Sequence, residues 1–181
     1  MSKIKPLNMK DMAIITAFPQ SNHKKVVLEV GCGDGKIDWY LAEMGYRVYG
    51  TDIQYYNTWI DNENPSFHKS DIFDLSTFPI KSSPVVICSQ VLEHLREYRL
   101  ALVHLIAFTE VRLIITLPHR RSFRSSGHVN FWDDKASGKF KDVHEFIELC
   151  RPHSVSLSKI ITKPKDAETG QRNYLMVIDK G

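Results

Sequence analysis

A short apolar strand, a glycine-rich turn, an amphipathic helix and a second strand follow one another within residues 26–50, and this order constrains the fold. The run Val26–Val30 is apolar except for one glutamate, which is typical of a buried strand. Gly31, Gly33 and Gly35 follow at once, and apolar residues then recur at helical spacing before the second strand. Because such a unit joins two parallel strands through a helix, a parallel sheet is expected.

The same alternation continues along the chain. Further strands are predicted at residues 67–68, 85–88 and 112–117. Helices are predicted from about Gln90 to Ala107 and around Phe140 to Cys150, because apolar residues recur there on one face. The chain therefore has the pattern of an α/β protein.

Two final strands, Ser154–Thr162 and Asn173–Asp179, complete the set. The polar turn between them is too short for a crossover helix, so they should form an antiparallel hairpin. We therefore predict a doubly wound, Rossmann-like sheet of seven strands, mostly parallel, with an antiparallel C-terminal hairpin. The ligand crevice of such a sheet lies at the carboxyl ends of its strands.

Length and composition favour one domain over residues 1–181. Residues 1–25 are expected to be a short extension with a helix at Met9–Phe18, and the aperiodic residues 118–139 a substrate loop. No apolar run approaches the ~20 residues of a membrane-spanning helix, and the N-terminus does not have the pattern of a signal peptide. Three widely spaced cysteines favour a reducing compartment, so a cytoplasmic location is expected.

The net charge of +3 is unevenly distributed along the chain. Residues 26–117 carry a net charge of −5, whereas residues 1–25 and 118–141 carry +4 each. An acidic body is thus flanked by two basic segments. Because the second basic segment coincides with the predicted substrate loop, the acceptor more than any cofactor is expected to meet positive charge.

Glycines and a carboxylate fall at strand ends, where a nucleotide could bind. Glycines allow a tight turn and a close approach of a ligand to the backbone. Asp52 lies 21 residues after Gly31, the distance at which a carboxylate ending the second strand can accept from both hydroxyls of a ribose. The GxGxG spacing differs from the GxGxxG of dinucleotide binders. A simple strand-to-helix connection and a helix N-cap at Asp52 are the structural alternatives.

Four segments together resemble the successive motifs of class I S-adenosylmethionine-dependent methyltransferases. They are Val27–Gly35, Gly50–Asp52, Ser70–Ile72 and Gln90–Leu95, the last being similar to the VLEHL signature of the small-molecule branch. The resemblance extends over roughly residues 25–181. It implies S-adenosylmethionine as methyl donor and S-adenosylhomocysteine as product.

The resemblance also implies residues of a cofactor site. The glutamate of the first strand and the glycine loop would border the methionine part, and the second-strand aspartate and the isoleucine after it would hold the ribose and pack on the adenine. Asp71 would accept from the adenine amino group, unless it is only a turn residue, and Gln90 would lie near the sulfonium. The predicted cofactor site comprises Glu29, Gly31, Cys32, Gly33, Gly35, Asp52, Ile53, Asp71, Ile72 and Gln90.

Three histidines are candidate catalytic residues. His94 follows the fourth strand, and His119 and His128 lie in the predicted substrate loop. Histidine can accept a proton near neutral pH. A hydroxyl or amine group that receives the methyl group can need such a base to remove its proton. A structural, hydrogen-bonded histidine is the alternative for each of them. The residues from His128 to Trp132 also resemble a His-x-x-x-Phe/Trp stretch of the family.

The predicted substrate-binding residues are cationic or aromatic. Arginine suits carboxylate and phosphate groups, although a solvated loop would have the same composition. Nucleic acid is not the expected partner, because the cationic cluster is short and a base-methyltransferase motif is missing after the fourth strand. No metal site is predicted, since the histidines are dispersed. The candidates are Arg120, Arg121, Arg124 and Trp132.

The predicted function is methyl transfer from S-adenosylmethionine to a small acceptor molecule. Both anionic and neutral acceptors agree with this prediction. One alternative is a module that binds the cofactor or a partner without catalysis, because few residues precede the first strand to cover a substrate. Another is a nicotinamide-dependent oxidoreductase, because Asp52 could equally hold its ribose. The acceptor and the oligomeric state are left open.

Overall fold

The computed structural model describes residues 6–19, 25–60, 63–120, 127–163 and 171–181. The helices are α1 (Met9–Thr16), α2 (Lys36–Glu43), α3 (Tyr98–Phe108) and α4 (Val143–Glu148). The main-sheet strands are β1 (Val26–Val30), β2 (Arg47–Asp52), β3 (Ser66–Lys69), β4 (Ser83–Ser89), β5 (Thr109–Pro118), β8 (Ser154–Lys163) and β9 (Gln171–Asp179). Two short strands, β6 (Trp132–Asp133) and β7 (Lys141–Asp142), lie outside the main sheet.

The seven main strands form one sheet in the order β3-β2-β1-β4-β5-β9-β8. Strands β1 to β5 pair in parallel, whereas β9 pairs antiparallel with both β5 and β8. The predicted α/β, Rossmann-like fold class with an antiparallel C-terminal pair is thus confirmed. The strand order reverses at β1 and β4, so their carboxyl ends open onto a crevice.

The sheet is covered on both faces, which explains why its central strands are almost wholly apolar. Alternate residues of a strand point to opposite faces. Val27 therefore packs with α1 and α2, whereas Leu28 packs with α3 and α4. Burial of each such side chain contributes about 1.5–3 kcal/mol, so the two layers hold the strand ends at fixed positions.

The segment after β4 differs from its prediction. A continuous helix from about Gln90 was expected, but the chain forms a 3₁₀ turn at Leu92–His94, and α3 begins only at Tyr98. Gln90 has a φ of 58°, which is incompatible with a right-handed helix. The apolar periodicity could not reveal this break, because the 3₁₀ turn also buries its apolar residue, Leu92.

The N-terminal helix begins with a capping box. The Asn8 side chain accepts from the backbone of Lys10 and Asp11, and Asp11 accepts in return from the Asn8 backbone. This satisfies N–H groups that have no partner within the helix. Among the described residues, no helix is long and apolar enough to span a bilayer.

Candidate active site

A cleft of about 470 Å³ opens at the carboxyl ends of the first four strands of the sheet. Such an edge is where ligands bind in open α/β sheets, at the point where the strand order reverses. Its walls are mostly apolar, with carboxylates from two neighbouring strands. The lining residues are Val30, Gly31, Gly33, Thr51, Asp52, Ile53, Gln54, Tyr56, Ser70, Asp71, Ile72, Phe73, Gln90, Val91, His94 and Leu95.

The glycine loop between β1 and α2 forms the floor of the cleft. Gly31 and Cys32 donate their backbone N–H groups to the Thr51 carbonyl oxygen, at 2.7 and 3.0 Å. Gly31, Gly33 and Gly35 all have positive φ, which glycine adopts at little cost. The loop is therefore held against β2 by its own backbone.

Asp52 connects the end of β2 to this loop. One carboxylate oxygen accepts from the Gly33 N–H at 3.0 Å, and the other accepts from the Gln54 N–H at 3.3 Å. A carboxylate has about four acceptor positions, so both oxygens can still bind a ligand hydroxyl. Ile53, next in the chain, is 64% exposed beside the cleft. An exposed isoleucine there offers an apolar surface to a flat ring.

Asp71 and Ile72 lie at the opposite wall, after β3. The Asp71 carboxylate accepts from the Phe73 N–H at 2.9 Å, and its own N–H donates to Thr77. Asp71 thus stabilises a turn, which was the structural alternative for this residue, and it also lines the cleft. The Ile72 side chain is buried, and its carbonyl oxygen pairs with His104.

Gln90 follows β4 at the centre of the cleft. Its N–H donates to the Thr116 carbonyl oxygen at 3.1 Å, while its side-chain amide reaches the Thr116 hydroxyl at 3.4 Å. It is the only non-glycine residue with positive φ in the described part of the chain. Such strain is a recurrent feature of functional sites.

Glu29 lies behind the glycine loop rather than in the main cleft. It borders a smaller cavity of about 220 Å³, which also includes Lys10 and Ser89 and shares Gly31 with the main cleft. Burial and the neighbouring Asp38 carboxyl raise the pKa of Glu29 well above its ordinary value. Cys32 lines this smaller cavity too, whereas Gly35 lines neither and begins α2 instead.

Sequence reasoning missed the N-terminal helix as part of the site. The Lys10 ammonium donates to the Ser89 hydroxyl at 3.1 Å, and Lys36 forms an ion pair with Asp11. These contacts place α1 over the smaller cavity. From the sequence, the lysines of residues 1–25 contribute only to a net positive charge. The local pattern does not indicate that Lys10 contacts Ser89 at the end of β4.

His94 and His128 come together beside the cleft. Their rings are 4.7 Å apart and nearly perpendicular, and His94 lines the cleft. Glu93 is fully buried next to them, and burial raises its pKa to about 7. Burial, and then the nearby His94, lower the pKa of His128. The sequence predicted both histidines as candidate catalytic residues.

Three further loop candidates, His119, Arg120 and Trp132, do not line the cleft. His119 is only 4% exposed and contacts the Asp133 carboxylate at 3.3 Å, and Arg120 pairs with the same carboxylate at 2.8 Å. Trp132 is 0% exposed and packs edge-on against Phe146, so the structure places it in the core. Its large apolar ring is covered by α3 and α4. Arg121 and Arg124 lie outside the described residues.

Part of the chain matches a known protein family. Residues 28–106 match the methyltransferase domain family, and these residues include the glycine loop, both cleft aspartates and Gln90. No curated protein sequence matches the chain.

Three solved structures illustrate the likeness in fold. A putative S-adenosylmethionine-dependent methyltransferase from Listeria monocytogenes is 17% identical, with a TM-score of 0.69 over 94% of this chain and 97% of that one. A magnesium protoporphyrin IX methyltransferase from Synechocystis with bound S-adenosylmethionine is 19% identical, with a TM-score of 0.59 over 85% and 69%. A 1,6-didemethyltoxoflavin-N1-methyltransferase from Burkholderia thailandensis, with bound 1,6-didemethyltoxoflavin and S-adenosylhomocysteine, is 18% identical, with a TM-score of 0.64 over 86% and 70%.

At these identities the structural likeness establishes the fold, and the family match establishes the kind of domain. The match covers the strand ends that form the cleft. Residues 28–106 thus match a methyltransferase domain, and the chain has the fold of the S-adenosylmethionine-dependent methyltransferases to which it is similar.

Proposed function

We propose that this chain binds S-adenosylmethionine in the cleft and transfers its methyl group to a small acceptor. In this proposal Asp52 holds the ribose, Ile53 packs on the adenine and Asp71 accepts from the adenine amino group. The methionine part extends past Gly31 toward the smaller cavity with Lys10 and Glu29. The sulfonium then lies near Gln90.

The observation that carries the proposal is the arrangement of polar and apolar groups in the cleft. Asp52 and Asp71 end or follow adjacent parallel strands, so their carboxylates face the same cleft. Ile53 and Ile72 follow them directly and line the space between. A purine nucleoside needs this combination, because its ribose presents two hydroxyl donors, its base an amino donor, and its ring faces are apolar.

The chemistry demands little of the protein. A sulfonium is an activated methyl donor, so the protein mainly has to align the acceptor atom with the methyl–sulfur bond. Gln90 and His94 line the end of the cleft where the acceptor would enter. His94 and His128 are the proposed proton acceptors if the acceptor atom carries a proton. His119 is not included, because its ring faces Asp133 and Tyr174.

We further propose that the acceptor is a small molecule with a negative charge. The similar enzymes from Synechocystis and Burkholderia are named for magnesium protoporphyrin IX and 1,6-didemethyltoxoflavin, and both of these are small molecules. A negative charge on the acceptor is supported by the +4 net charge of residues 118–141. That net charge already counts Asp133, which pairs with Arg120, so the Arg120 guanidinium is less available to an anionic acceptor than the other cations of the segment.

Calorimetry with S-adenosylmethionine and S-adenosylhomocysteine tests the proposal directly. Saturable binding of both is expected, and no binding of either at millimolar concentration would exclude it. Binding of a nicotinamide cofactor instead would favour the oxidoreductase alternative. Tight binding with no turnover across a broad acceptor panel would favour the non-catalytic module.

Replacement of Asp52 tests the ribose assignment. Asp52→Ala is expected to weaken S-adenosylhomocysteine binding by about 1–3 kcal/mol, since it leaves ligand hydroxyls without an acceptor. Asp52→Asn keeps an oxygen for the Gly33 N–H and should have an intermediate effect. The exposed Glu43→Ala on α2 is the control and should bind like the unaltered protein. An unchanged affinity in Asp52→Ala would reject the assignment.

A further inference from the structure

A buried carboxylate without a partner lies beside the cleft. Glu93 is 0% exposed, and neither of its carboxyl oxygens has a hydrogen-bond partner among the described residues. A buried carboxylate is costly unless it is paired, hydrogen-bonded or bound to a metal. Glu93 therefore lacks a compensating partner within the part of the chain that the structure describes.

The tautomer of His94 is fixed by a backbone contact. Its Nδ1 lies 3.0 Å from the Gly127 carbonyl oxygen. A carbonyl oxygen only accepts, so Nδ1 must carry the proton and donate it. Nε2 is left with its lone pair. Metal-binding histidines have this arrangement, in which one ring nitrogen donates to a carbonyl while the other is a ligand.

His128 brings a second unpartnered group to the same place. Its Nδ1 is buried and has no hydrogen-bond partner in the described part of the chain. One ligand atom each from Glu93, His94 and His128 lie within 4.8 Å of one another. A buried carboxyl group, an exposed imidazole and a half-buried imidazole thus converge on one point.

The two segments that carry these residues are clamped together. The Glu93 carbonyl oxygen accepts from the N–H groups of Val129 and Asn130, at 2.7 and 3.0 Å. The buried Asn130 side chain donates to the Leu92 and Leu95 carbonyl oxygens, at 3.0 and 2.5 Å. The ligand geometry is therefore supported by backbone contacts on both sides, as a metal site requires.

We propose that Glu93, His94 and His128 form a binding site for one divalent first-row transition-metal ion at the end of the cleft. An ion held by both imidazoles would occupy the lone pairs that proton acceptance needs, so metal binding would replace the proton-acceptor role of these histidines. Two imidazoles and one carboxylate suit zinc, cobalt, nickel, iron or manganese better than magnesium or calcium, which prefer oxygen ligands only. Bond lengths near 2.0–2.2 Å require the donors to lie roughly 3–3.5 Å apart. Small side-chain rotations would bring donors within 4.8 Å to that separation.

A second group of potential ligands serves as the comparison. His119, Asp133 and Asp134 also lie close together. Their donors are already engaged, because Asp133 contacts His119 and Arg120, and Asp134 contacts Lys159 and Tyr174. A cation there would have to displace those partners. Metal binding at this second group is therefore not expected.

Cobalt(II) is a suitable probe, because its visible absorption reports the ligand number and type. The full chain, purified without a histidine tag and freed of metal by a chelator, is titrated with Co²⁺. We expect binding of one equivalent and a rise in the thermal midpoint. Glu93→Gln and His128→Ala should each lower the affinity at least tenfold and remove the thermal shift. His144→Ala, an exposed histidine on α4, should bind like the unaltered protein.

Three results would overturn the inference. One is the absence of a saturable Co²⁺ spectrum, and another is an affinity that Glu93→Gln and His128→Ala leave unchanged. The third is loss of binding in His119→Ala while His128→Ala retains it, which would place the ion at the second group. Glu93→Gln also controls for folding, since its amide nearly preserves the shape of the side chain. S-adenosylhomocysteine binding in excess chelator tests the proposed function separately.

Discussion

Gly31 and Gly33 share a left-handed backbone but have different surroundings. A Cβ added to Gly31 would lie 2.2 Å from the Val91 Cγ2 atom, whereas one added to Gly33 would meet nothing within 4 Å. Gly31 is therefore needed for close packing of the loop against the segment after β4. Gly33 leaves open space at the cleft, where the proposed cofactor passes.

Alanine at these two positions should separate stability from binding. Gly31→Ala combines a left-handed backbone with overpacking and should cost about 2–5 kcal/mol in unfolding free energy. Gly33→Ala should cost only about 1–2 kcal/mol, because only the backbone is strained. It should nevertheless weaken S-adenosylhomocysteine binding. Urea unfolding and calorimetry measure the two effects, and equal losses of stability would contradict this difference.

Glu29 and Asp38 form a buried acidic pair under the glycine loop. Neither Asp38 oxygen has a hydrogen-bond partner among the described residues, and burial raises the pKa of both carboxyls. The folded protein thus holds protons that the unfolded chain releases at about pH 4. Stability must fall as the pH rises from the ordinary carboxyl pKa through the raised ones.

Asp38→Asn should reduce this pH dependence. An uncharged amide can donate to Glu29 and removes one ionisable group from the pair. The variant should be more stable than the unaltered protein at about pH 8, and the difference should shrink toward about pH 5. Urea unfolding at both values measures it, with the exposed Glu43→Gln as control. A difference that does not change with pH would show that the pair is not the cause.

The junction between β4 and the 3₁₀ turn is the element on which the site depends most. Gln90 adopts its positive φ there, and the turn directs Glu93 and His94 toward residues 127–130. A continuous helix from Gln90 would have directed Glu93 and His94 differently relative to residues 127–130. Local strain at one residue thus sets the geometry of the acceptor side of the cleft.

Two substitutions of Gln90 separate its backbone strain from its side chain. Gln90→Gly and Gln90→Ala both remove the amide that reaches Thr116, but only glycine adopts the positive φ freely. The glycine variant should therefore be more stable than the alanine variant by about 1 kcal/mol. Both should impair methyl transfer if the amide lies near the sulfonium. Equal unfolding free energies would indicate that the strain is relieved elsewhere.

At the scale of the molecule, one side chain joins three parts of the fold. Arg112 at the base of β5 donates to the Asp179 carboxylate of β9 at 2.6 and 3.0 Å. It also donates at 2.8 Å to the Ala17 carbonyl oxygen at the end of α1. This guanidinium thus ties the antiparallel strand and the N-terminal helix to the parallel half of the sheet.

Arg112→Lys should lower the unfolding free energy by about 1–2 kcal/mol, because a lysine cannot maintain the bidentate pair and the third hydrogen bond together. The matched control is Arg151→Lys. Arg151 pairs with Glu148 at the end of α4, and both side chains are exposed. Surface pairs of that kind contribute under about 1 kcal/mol, so the control should change little. Urea unfolding compares the two, and equal losses would contradict a special role for Arg112.

The strands of the main sheet and the candidate cofactor site follow from local patterns, whereas the two short strands β6 and β7 were not predicted. The apolar run of β1, the three glycines and Asp52 at the end of β2 are contiguous signals, and parallel strands bring their carboxyl ends to one edge. The sequence thus determined the fold class and predicts the edge of the sheet where a ligand would bind. The cofactor contacts themselves stay predictions.

The acceptor side depended on contacts between distant residues. Trp132 enters the core rather than the cleft, Asp133 takes up part of the loop's positive charge, and His128 meets the Glu93–His94 pair across more than thirty residues of chain. No periodicity encodes such meetings, because they arise when packed layers fix two loops against one another. The sequence by itself determined the sheet, the glycine loop and the aspartates of the cleft. Only the tertiary structure decided which loop groups converge, since their positions depend on packing and on the strained turn at Gln90.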